Sequence, residues 1–251
     1  MSKKTENDVF KNVLVTGASS GIGQAIARRL AEEGYHVIGC ARRMERLLQL
    51  QKELPVGRFS PVACDLRSER SILQMFQAIR DQWGGVDILI NNAGLGHRSP
   101  LLSGSTEHWR EMLEVNILAL CICTREAIAD MQKRGDNGYV IHISSMAGHR
   151  VPSGSGVYSA TKFAVRSLTE GVRMELHGMG SKIRVSAISP GFVETEFAEH
   201  YAKSKDIARE TYGRYKVLES EDIAQQVSFL ISTPSHVQIH DILVRPTAQP
   251  N

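Results

Sequence analysis

The segment Val13-Leu-Val-Thr-Gly-Ala-Ser-Ser-Gly-Ile-Gly23 decides the fold, because it predicts a strand, a glycine-rich turn and the start of a helix. Its first four residues form a short β-branched run that ends at glycine, which is typical of a buried parallel strand. Residues 24–33 continue with an apolar stripe, and Gly34 predicts the end of the helix. Strand, glycine turn and helix in this order predict nucleotide binding.

The glycines of the turn allow backbone amides to approach a pyrophosphate at the positive end of the helix. Their spacing is GxxxGxG, which differs from the GxGxxG dinucleotide fingerprint. The candidate cofactor contacts in the turn are Gly17, Ser19, Ser20, Gly21, Ile22 and Gly23.

Composition limits the class of protein. The chain has 251 residues, of which 42% are hydrophobic and 23% charged, which suits one large α/β domain. A net charge of +3 without a basic run favours a small-molecule partner over nucleic acid or a membrane. No apolar run approaches the roughly 20 residues of a membrane span, and the start is polar, so a cytoplasmic protein is expected.

The four cysteines lack the paired spacing and the neighbouring histidines of a zinc site, so reduced thiols and no metal are expected. Strands and helices alternate along the chain with short connections, which predicts a parallel sheet covered on both faces. We therefore predict an α/β fold: a single Rossmann-type, doubly wound domain over residues 12–251, with about seven parallel strands, after a polar extension at 1–11. Further strands are predicted at 36–40, 59–64, 86–90, 139–143, 182–188 and 239–244. Residues 106–133 predict a long helix, and the polar stretch at about 192–217, which has no clear period, predicts a substrate lid.

The end of the second strand indicates the type of cofactor. An acid there would hold the ribose hydroxyls of NAD, whereas an arginine accommodates a 2′-phosphate. The sequence has Ala41-Arg42-Arg43, so we predict NADP(H), with Arg42 as the main phosphate partner and Arg43 as the second. The alternative is that both arginines are simply solvated at the start of a helix.

Other predicted cofactor contacts follow strands. The Asp65 carboxylate can accept from the adenine amino group while Leu66 packs on the ring, although an acid ahead of Ser68 could also cap a helix. Asn92, Ala93 and Gly94 allow a close backbone approach. A second backbone clasp contributes Pro190, Gly191, Val193 and Thr195.

Tyr158-Ser-Ala-Thr-Lys162 places a phenol and an ammonium on one face of a helix. A nearby cation favours the phenolate, so Lys162, helped by a cationic cofactor ring, could adapt Tyr158 for acid/base chemistry. Ser145, at the end of a strand, could bind the same carbonyl oxygen that Tyr158 protonates. Asn116 is an amide among apolar residues. It is either a functional group or a structural amide whose hydrogen bonds are made within the protein.

With these motifs in this order and spacing, the chain resembles the short-chain dehydrogenase/reductase family over almost its full length. The matching elements are Thr16-Gly-x-x-x-Gly-x-Gly23, Asp65, Asn91-Asn-Ala-Gly94, Asn116, Ser145, Tyr158-x-x-x-Lys162, and Pro190-Gly191 with Thr195. The resemblance implies that Tyr158 is the general acid/base and that Ser145 is its partner on the substrate oxygen. It also implies that Lys162 holds the nicotinamide ribose and lowers the pKa of the phenol, and that Asn116 anchors a water in a proton relay.

A closer resemblance is to the branch of dehydrogenase/reductase family member eleven, and to insect farnesol dehydrogenases. Residues 101–106, 118–126, 145–151 and 245–249 carry it. It implies an NADP(H)-dependent carbonyl reductase or alcohol dehydrogenase, with steroid-like or terpenoid-like substrates as candidates. The first alternative is a dehydrogenase of short 3-hydroxy acids, with Arg98 or Arg150 on the substrate anion. The second is a non-catalytic NADP-binding sensor.

The resemblance also implies a homotetramer, with a dimer as the second choice, through the helices at 106–133 and 156–179. The apolar residues Leu118, Leu120, Ile122 and Ile128 permit this pairing, but they could equally belong to the core.

Overall fold

A computed structural model describes residues 12–202, 213 and 215–250. The N-terminal extension predicted at 1–11 lies outside the described residues, as do residues 203–212 and 214 of the predicted lid.

The described chain contains one seven-stranded sheet in which every neighbouring pair is parallel. The strands are β1 (Asn12–Thr16), β2 (His36–Ala41), β3 (Phe59–Ala63), β4 (Ile88–Asn91), β5 (Tyr139–Ile143), β6 (Arg184–Pro190) and β7 (Asp241–Val244). Their spatial order is β3-β2-β1-β4-β5-β6-β7, so the order reverses between β1 and β4. Such a switch point opens a crevice at the carboxyl ends of the strands, where ligands bind in open α/β sheets. The predicted fold class is confirmed.

Helices cover both faces of the sheet. They are α1 (Gly21–Glu32), α2 (Met44–Glu53), α3 (Glu69–Trp83), α4 (Thr106–Leu113), α5 (Ala119–Lys133), α6 (Gly156–Gly178), α7 (Phe197–Ala202) and α8 (Ser220–Ser232). One core packs α1, α2 and α8 on the sheet through residues such as Leu30, Leu50 and Val227. The other packs α3, α5 and α6 through residues such as Phe76 and Leu176. Along β1, Val13 and Val15 lie in the first core and Leu14 lies in the second. Successive side chains of a strand point to opposite faces of the sheet, and helices cover both faces here.

The predicted helix at 106–133 is not regular throughout. A π-helical turn, Glu114–Leu118, separates α4 from α5 and is centred on the buried Asn116. A π-turn inserts one residue into the helical register, which apolar periodicity does not reveal, and it is frequent at functional sites.

Several other boundaries also differ from the predictions. The predicted lid contains a short helix, α7, where no regular structure was expected. Strand β6 extends to Pro190 because Ser189 and Pro190 still pair with β7. The N-cap of α8 is Glu219 rather than Ser220, since Glu219 and Asp222 form a reciprocal capping box.

Neither a membrane-spanning helix nor a metal-binding cluster is found among the described residues. None of the helices there combines the length and the apolar character needed to cross a bilayer. No cluster of three or more His, Cys, Asp or Glu side chains in the described ranges is arranged to hold a metal ion. The four cysteines are free thiols.

Candidate active site and cofactor crevice

The glycine turn forms a backbone cradle at the switch point between β1 and β4. Gly17 has a positive φ of 71°, which side chains rarely adopt. A Cβ on Gly23 would lie only 2.4 Å from both Asn92 Nδ2 and the Gly17 carbonyl oxygen, so there is no room for one. The cradle lies at the amino end of α1, which begins at Gly21, and this position fits a dinucleotide pyrophosphate.

The segment after β4 is tied to this turn. The Thr16 hydroxyl accepts from the backbone amides of Asn92 and Ala93, both at 3.0 Å. Asn92 Nδ2 donates to the Thr16 carbonyl at 2.8 Å. Asn91 Nδ2 donates to Thr124 Oγ1 at 2.9 Å, which fixes the end of β4 to α5. The Asn92 side chain thus holds the segment after β4 against the end of β1.

The two arginines after β2 have different surroundings. Arg43 Nη2 donates to Ser20 Oγ at 2.9 Å and to Ser19 Oγ at 3.2 Å, so its guanidinium lies directly on the turn. Arg42 is exposed, and its positive charge acts on Asp65. The structure therefore puts Arg43 against the turn and leaves Arg42 on the Asp65 side.

Asp65 is held by a neighbouring arginine. Its carboxylate accepts from Arg67 Nη2 at 3.0 Å and from Arg67 Nε at 3.2 Å, and this pair, helped by Arg42, keeps the pKa of Asp65 below its usual value. The cap of α3 is Ser68, whose side chain accepts from the Ser71 amide. Asp65 is therefore not the helix cap, and Leu66 beside it packs partly against the core.

The second clasp starts where β6 ends at Pro190. The Gly191 amide donates to the Val244 carbonyl at 2.7 Å, and buried Val193 forms a bridge with Leu218. Thr195 contacts the turn, because a Cβ on Gly21 would lie 3.1 Å from its methyl group. Residues of the clasp and of the glycine turn thus line one groove, and Ile22 packs partly against the core.

Tyr158 and Lys162 lie one turn apart on α6, beside the carboxyl end of β5. Lys162 is only 5% exposed, and its Nζ donates to the Ile143 carbonyl at 3.0 Å and lies 5.9 Å from the centre of the Tyr158 ring. Burial lowers the pKa of Lys162 to about 8. The helical spacing thus brings the two groups together as the sequence predicted.

The pKa of Tyr158 moves in the direction opposite to the prediction. Burial raises it, and a hydrogen bond with Ser145 opposes the rise. The prediction relied partly on the positive charge of a cofactor ring, which the protein alone does not supply. Ser145 itself is fixed by the amide of Ala147, which donates to its Oγ at 3.0 Å in the 3-10 turn Met146–Gly148.

Asn116 lies in the π-turn and is fully hydrogen-bonded. Its Oδ1 accepts from the Leu95 amide at 2.9 Å, and its Nδ2 donates to the Leu95 carbonyl at 2.8 Å and to Thr161 Oγ1 at 3.0 Å. A Cβ on Gly94 would lie 3.5 Å from both Asn116 Oδ1 and Lys162 Nζ. The two polar groups therefore face the same small space, and Asn116 also has the partners that a structural amide needs.

An aromatic roof, defined here as Phe197 and Tyr201 of α7, covers Tyr158. The ring centres of Phe197 and Tyr201 lie 5.5 and 5.9 Å from that of Tyr158, and the two roof rings stack on each other at 5.9 Å. All three rings converge on Gly96, where a Cβ would approach each of them within 3.1 Å. The roof was not predicted from the sequence, although the four-residue spacing of Phe197 and Tyr201 was the available signal.

A second missed group is His142 on β5, which is fully buried. Thr169 Oγ1 donates to the Val165 carbonyl at 2.7 Å, so the 2.9 Å contact requires His142 Nδ1 to be the donor to Thr169. His142 Nε2 then accepts from Thr124 Oγ1 at 3.2 Å. Burial and the charge of Lys162 lower the pKa of His142 to about 3, so the imidazole is a neutral link between β5, α5 and α6.

The comparisons with known proteins agree with this geometry. The family model described as short chain dehydrogenase matches residues 11–206. The chain belongs to the short-chain dehydrogenase family. Members of this family are oxidoreductases that use NAD(P), so the predicted family, enzyme class and nicotinamide cofactor are confirmed, and the alternative of a non-catalytic sensor is not supported.

Two relatives and one solved structure show where the chain lies in this family. Dehydrogenase/reductase SDR family member 11 of Bos taurus is 52% identical over 94% of this chain and 96% of the relative. Farnesol dehydrogenase of Aedes aegypti is 40% identical over 95% of this chain and 97% of the relative. The closed form of serine dehydrogenase complexed with NADP+ is 36% identical, covers 96% of both chains and superposes with a TM-score of 0.91. The predicted resemblance to the member eleven branch is confirmed.

Proposed function

We propose that this protein is an NADP(H)-dependent carbonyl reductase or alcohol dehydrogenase that acts on apolar ketones, aldehydes and secondary alcohols. The observation that carries the proposal is the convergence of Tyr158, Ser145 and Lys162 beside the glycine turn, at the carboxyl edge of the sheet. When bound, the nicotinamide supplies the hydride, and the protein supplies orientation and a proton.

In this proposal Tyr158 donates its phenolic proton to the substrate oxygen during reduction, and the Ser145 hydroxyl binds the same oxygen. The hydrogen bond between the two side chains supports a shared target. Groups already fixed in a site with little water stabilise developing charge without having to reorganise. The Ala147 amide on Ser145 contributes to that fixation.

Lys162 and Asn116 form the proposed proton relay. A lysine with a pKa near 8 can release and regain a proton close to neutral pH, which suits a relay better than an ordinary lysine. The space that Asn116 Oδ1 and Lys162 Nζ share beside Gly94 supports a bridging water there. Lys162 would also hold the nicotinamide ribose.

The preference for NADP(H) is supported by the absence of an acid after β2 and by the two arginines there. Arg42 is the proposed main partner of the 2′-phosphate, with Arg43 second, and Ser19 and Ser20 complete the polar wall on the turn. Asp65 would exchange part of its contact with Arg67 for the adenine amino group.

The aromatic roof supports an apolar substrate class. Phe197 and Tyr201 surround Tyr158 with apolar ring atoms, in a tilted and an edge-on contact, and such a lining favours hydrocarbon skeletons over charged ones. The likeness to a farnesol dehydrogenase adds support for terpenoid-like substrates. Steroid-like ketones are also candidates, because they too carry a reactive oxygen on a large apolar skeleton.

One observation favours a second candidate, a dehydrogenase of short 3-hydroxy acids. Arg98 is exposed at the edge of the roof, its amide donates to the Tyr201 carbonyl at 3.0 Å, and its charge opposes the rise that burial causes in the pKa of Tyr201. A cation in that position could hold a substrate carboxylate. Arg150 is the other candidate for that role, although its amide only continues the turn from Met146.

We further propose a cytoplasmic homotetramer, with a dimer second, paired through the helices on either side of the site. Leu118 is 56% exposed and Phe163 of α6 is 40% exposed, which supports an apolar contact between copies. Leu120 and Ile122 belong to the core of the monomer instead. A monomer in light scattering at micromolar concentration would contradict the assembly.

The test of function is the consumption of NADPH, followed by absorbance, with ketosteroids, terpenoid aldehydes, aromatic ketones and short 3-oxo acids. Turnover of the bulky apolar carbonyls alone supports the first proposal. Turnover of the acids alone favours the second, and Arg98→Ala should then raise the KM for the acid while leaving the affinity for NADPH unchanged.

A further inference from the structure

A carboxylate at the base of the predicted lid binds the arginines beside the cofactor turn. Arg46 Nη1 donates to both carboxylate oxygens of Glu196, at 2.8 and 3.0 Å. Arg43 Nη1 donates to Glu196 Oε2 at 3.3 Å. These contacts lower the pKa of Glu196, Arg46 having the larger effect, so Glu196 is an anion shared between two cations.

The same guanidinium of Arg43 also binds the turn, because its Nη2 donates to Ser20 and Ser19. Carboxylate and phosphate are both oxyanions that the planar fork of arginine binds through paired N–H groups. Glu196 therefore uses donors that a 2′-phosphate on this side of the crevice would need.

Glu196 is also joined to the aromatic roof. It immediately precedes Phe197, the first residue of α7, and α7 places Phe197 and Tyr201 over Tyr158. Thr195, on its other side, packs its methyl group against Gly21 of the turn. A change at the Glu196 carboxylate would thus be transmitted directly to the start of α7.

We propose that Glu196 is an internal substitute for the 2′-phosphate: it neutralises Arg43 and Arg46 in the cofactor-free protein and releases Arg43 when the phosphate binds. The position of α7 over Tyr158 is thereby coupled to the phosphate that distinguishes NADP(H) from NAD(H). This proposal rests on the proposed NADP(H) preference.

Solvation makes the exchange reversible. The side chains of Arg43, Arg46 and Glu196 are 38%, 42% and 43% exposed, so their ion pairs are weak and readily replaced. A dianionic phosphate attracts the same arginines more strongly than a single carboxylate does. Glu196 therefore opposes the binding of the phosphate without preventing it.

The test uses the full chain and two probes that differ only in the 2′-phosphate, 2′,5′-ADP and adenosine 5′-monophosphate, by titration calorimetry. Glu196→Gln should tighten the binding of 2′,5′-ADP about two- to fivefold, as removing one exposed competing charge does, and leave the monophosphate unchanged. The matched control is Glu194→Gln, because Glu194 lines the same groove and, within the described part of the chain, makes no ion pair with either arginine.

Hydrogen exchange measures the second half of the proposal. In the native protein, 2′,5′-ADP should raise amide exchange in the segment 197–202, and the monophosphate should not. In Glu196→Gln this segment should already exchange faster, and the probe should add little. An unchanged segment in every case would overturn the coupling to α7.

The outcomes separate this proposal from the one on which it rests. If the native protein binds 2′,5′-ADP more tightly than the monophosphate but Glu196→Gln changes neither, or Glu194→Gln has the same effect, the role of Glu196 is wrong and the cofactor preference stands. If the native protein does not discriminate between the two probes, both proposals fail.

Discussion

The two positively charged regions of the crevice differ in their contact with water. Lys162 lies at the catalytic end, 5% exposed, with its ammonium on a strand carbonyl and its pKa lowered to about 8 by burial. Arg43 lies at the phosphate end, 38% exposed, with hydroxyl and carboxylate partners. One cation is fixed by the fold, and the other is held by exchangeable ion pairs.

This difference indicates what each end does. In a buried site, fixed dipoles and charges act strongly because the local dielectric is low, so the chemistry depends on each group there. At the solvated end each contact contributes little, and selectivity arises from several weak contacts. Substitutions should therefore have large effects around Tyr158 and small, ligand-specific effects around Arg42 and Arg43.

The largest effect is expected for Tyr158→Phe, which removes only the hydroxyl. Turnover should fall about 10² to 10⁴-fold, as for the loss of a general acid/base, while the affinity for NADPH, measured by fluorescence, stays within a few-fold. Tyr35→Phe, a half-buried tyrosine in the loop before β2, is the control and should keep its turnover. Unimpaired turnover of Tyr158→Phe would show that the phenol is not the acid/base, and it would contradict the large effects expected at the catalytic end.

Lys162→Met tests whether the ammonium at the catalytic end is as shielded from water as the structure indicates. The pKa of the folded-state lysine lies below that of the unfolded chain, so the unfolded state binds more protons between about pH 8 and 10.5. The cost of burying the charge is complete below pH 8 and disappears as the pH rises through that window. The free energy of unfolding of Lys162→Met minus that of the native protein should therefore decrease by up to about 3 kcal/mol over this range.

Urea unfolding of both proteins at pH 7.5 to 10.5 measures this difference. Taking the difference cancels the opposing contributions of Tyr158 and Cys123, whose raised pKa values act on both proteins in the same direction. A difference that does not change with pH would mean that Lys162 titrates as an exposed lysine does.

Much of this crevice could be predicted from the sequence because its parts are local. The glycine turn, the tyrosine and lysine on one helical face, and the small residues after β4 each depend on a spacing within a few residues. The parallel sheet follows from alternation along the chain. The direction of the Tyr158 pKa could not be predicted, because it depends on how many atoms of other elements surround the phenol.

The aromatic roof illustrates the same limit. Phe197 and Tyr201 have the four-residue spacing of Tyr158 and Lys162, yet they lie in a polar segment where no apolar period supports a helix. Their contact with Tyr158 depends on the fold bringing residues about forty positions apart together. The ion pairs of Glu196 span 150 and 153 residues, which no local pattern could indicate.

Two glycine-to-alanine substitutions in helices test the glycine turn, which joins the catalytic end and the phosphate end of the crevice. Gly23→Ala would bring a methyl group within 2.4 Å of Asn92 Nδ2 and the Gly17 carbonyl, and it should lower the free energy of unfolding by about 1–3 kcal/mol and weaken NADPH binding. Gly171→Ala in α6 has no atom within 4 Å of the new methyl and should stabilise by about 0.5–1 kcal/mol. Thermal unfolding and NADPH titration of both variants measure the contrast, and equal effects would show that the cradle can relax.

The smallest expected effect is at the solvated end. Arg42→Ala should weaken NADPH binding about tenfold, which corresponds to about 1.4 kcal/mol, and leave NADH binding unchanged, because only NADPH carries the 2′-phosphate. Arg43→Ala should have the smaller effect, and the reverse order would make Arg43, which contacts Ser19 and Ser20, the main partner. Arg42→Lys retains the charge and separates attraction at a distance from paired hydrogen bonding. An equal loss for NADPH and NADH in Arg42→Ala would mean that this arginine acts on the pyrophosphate or on the fold, and the division between a fixed catalytic end and an exchangeable phosphate end would then have to be redrawn around Arg43.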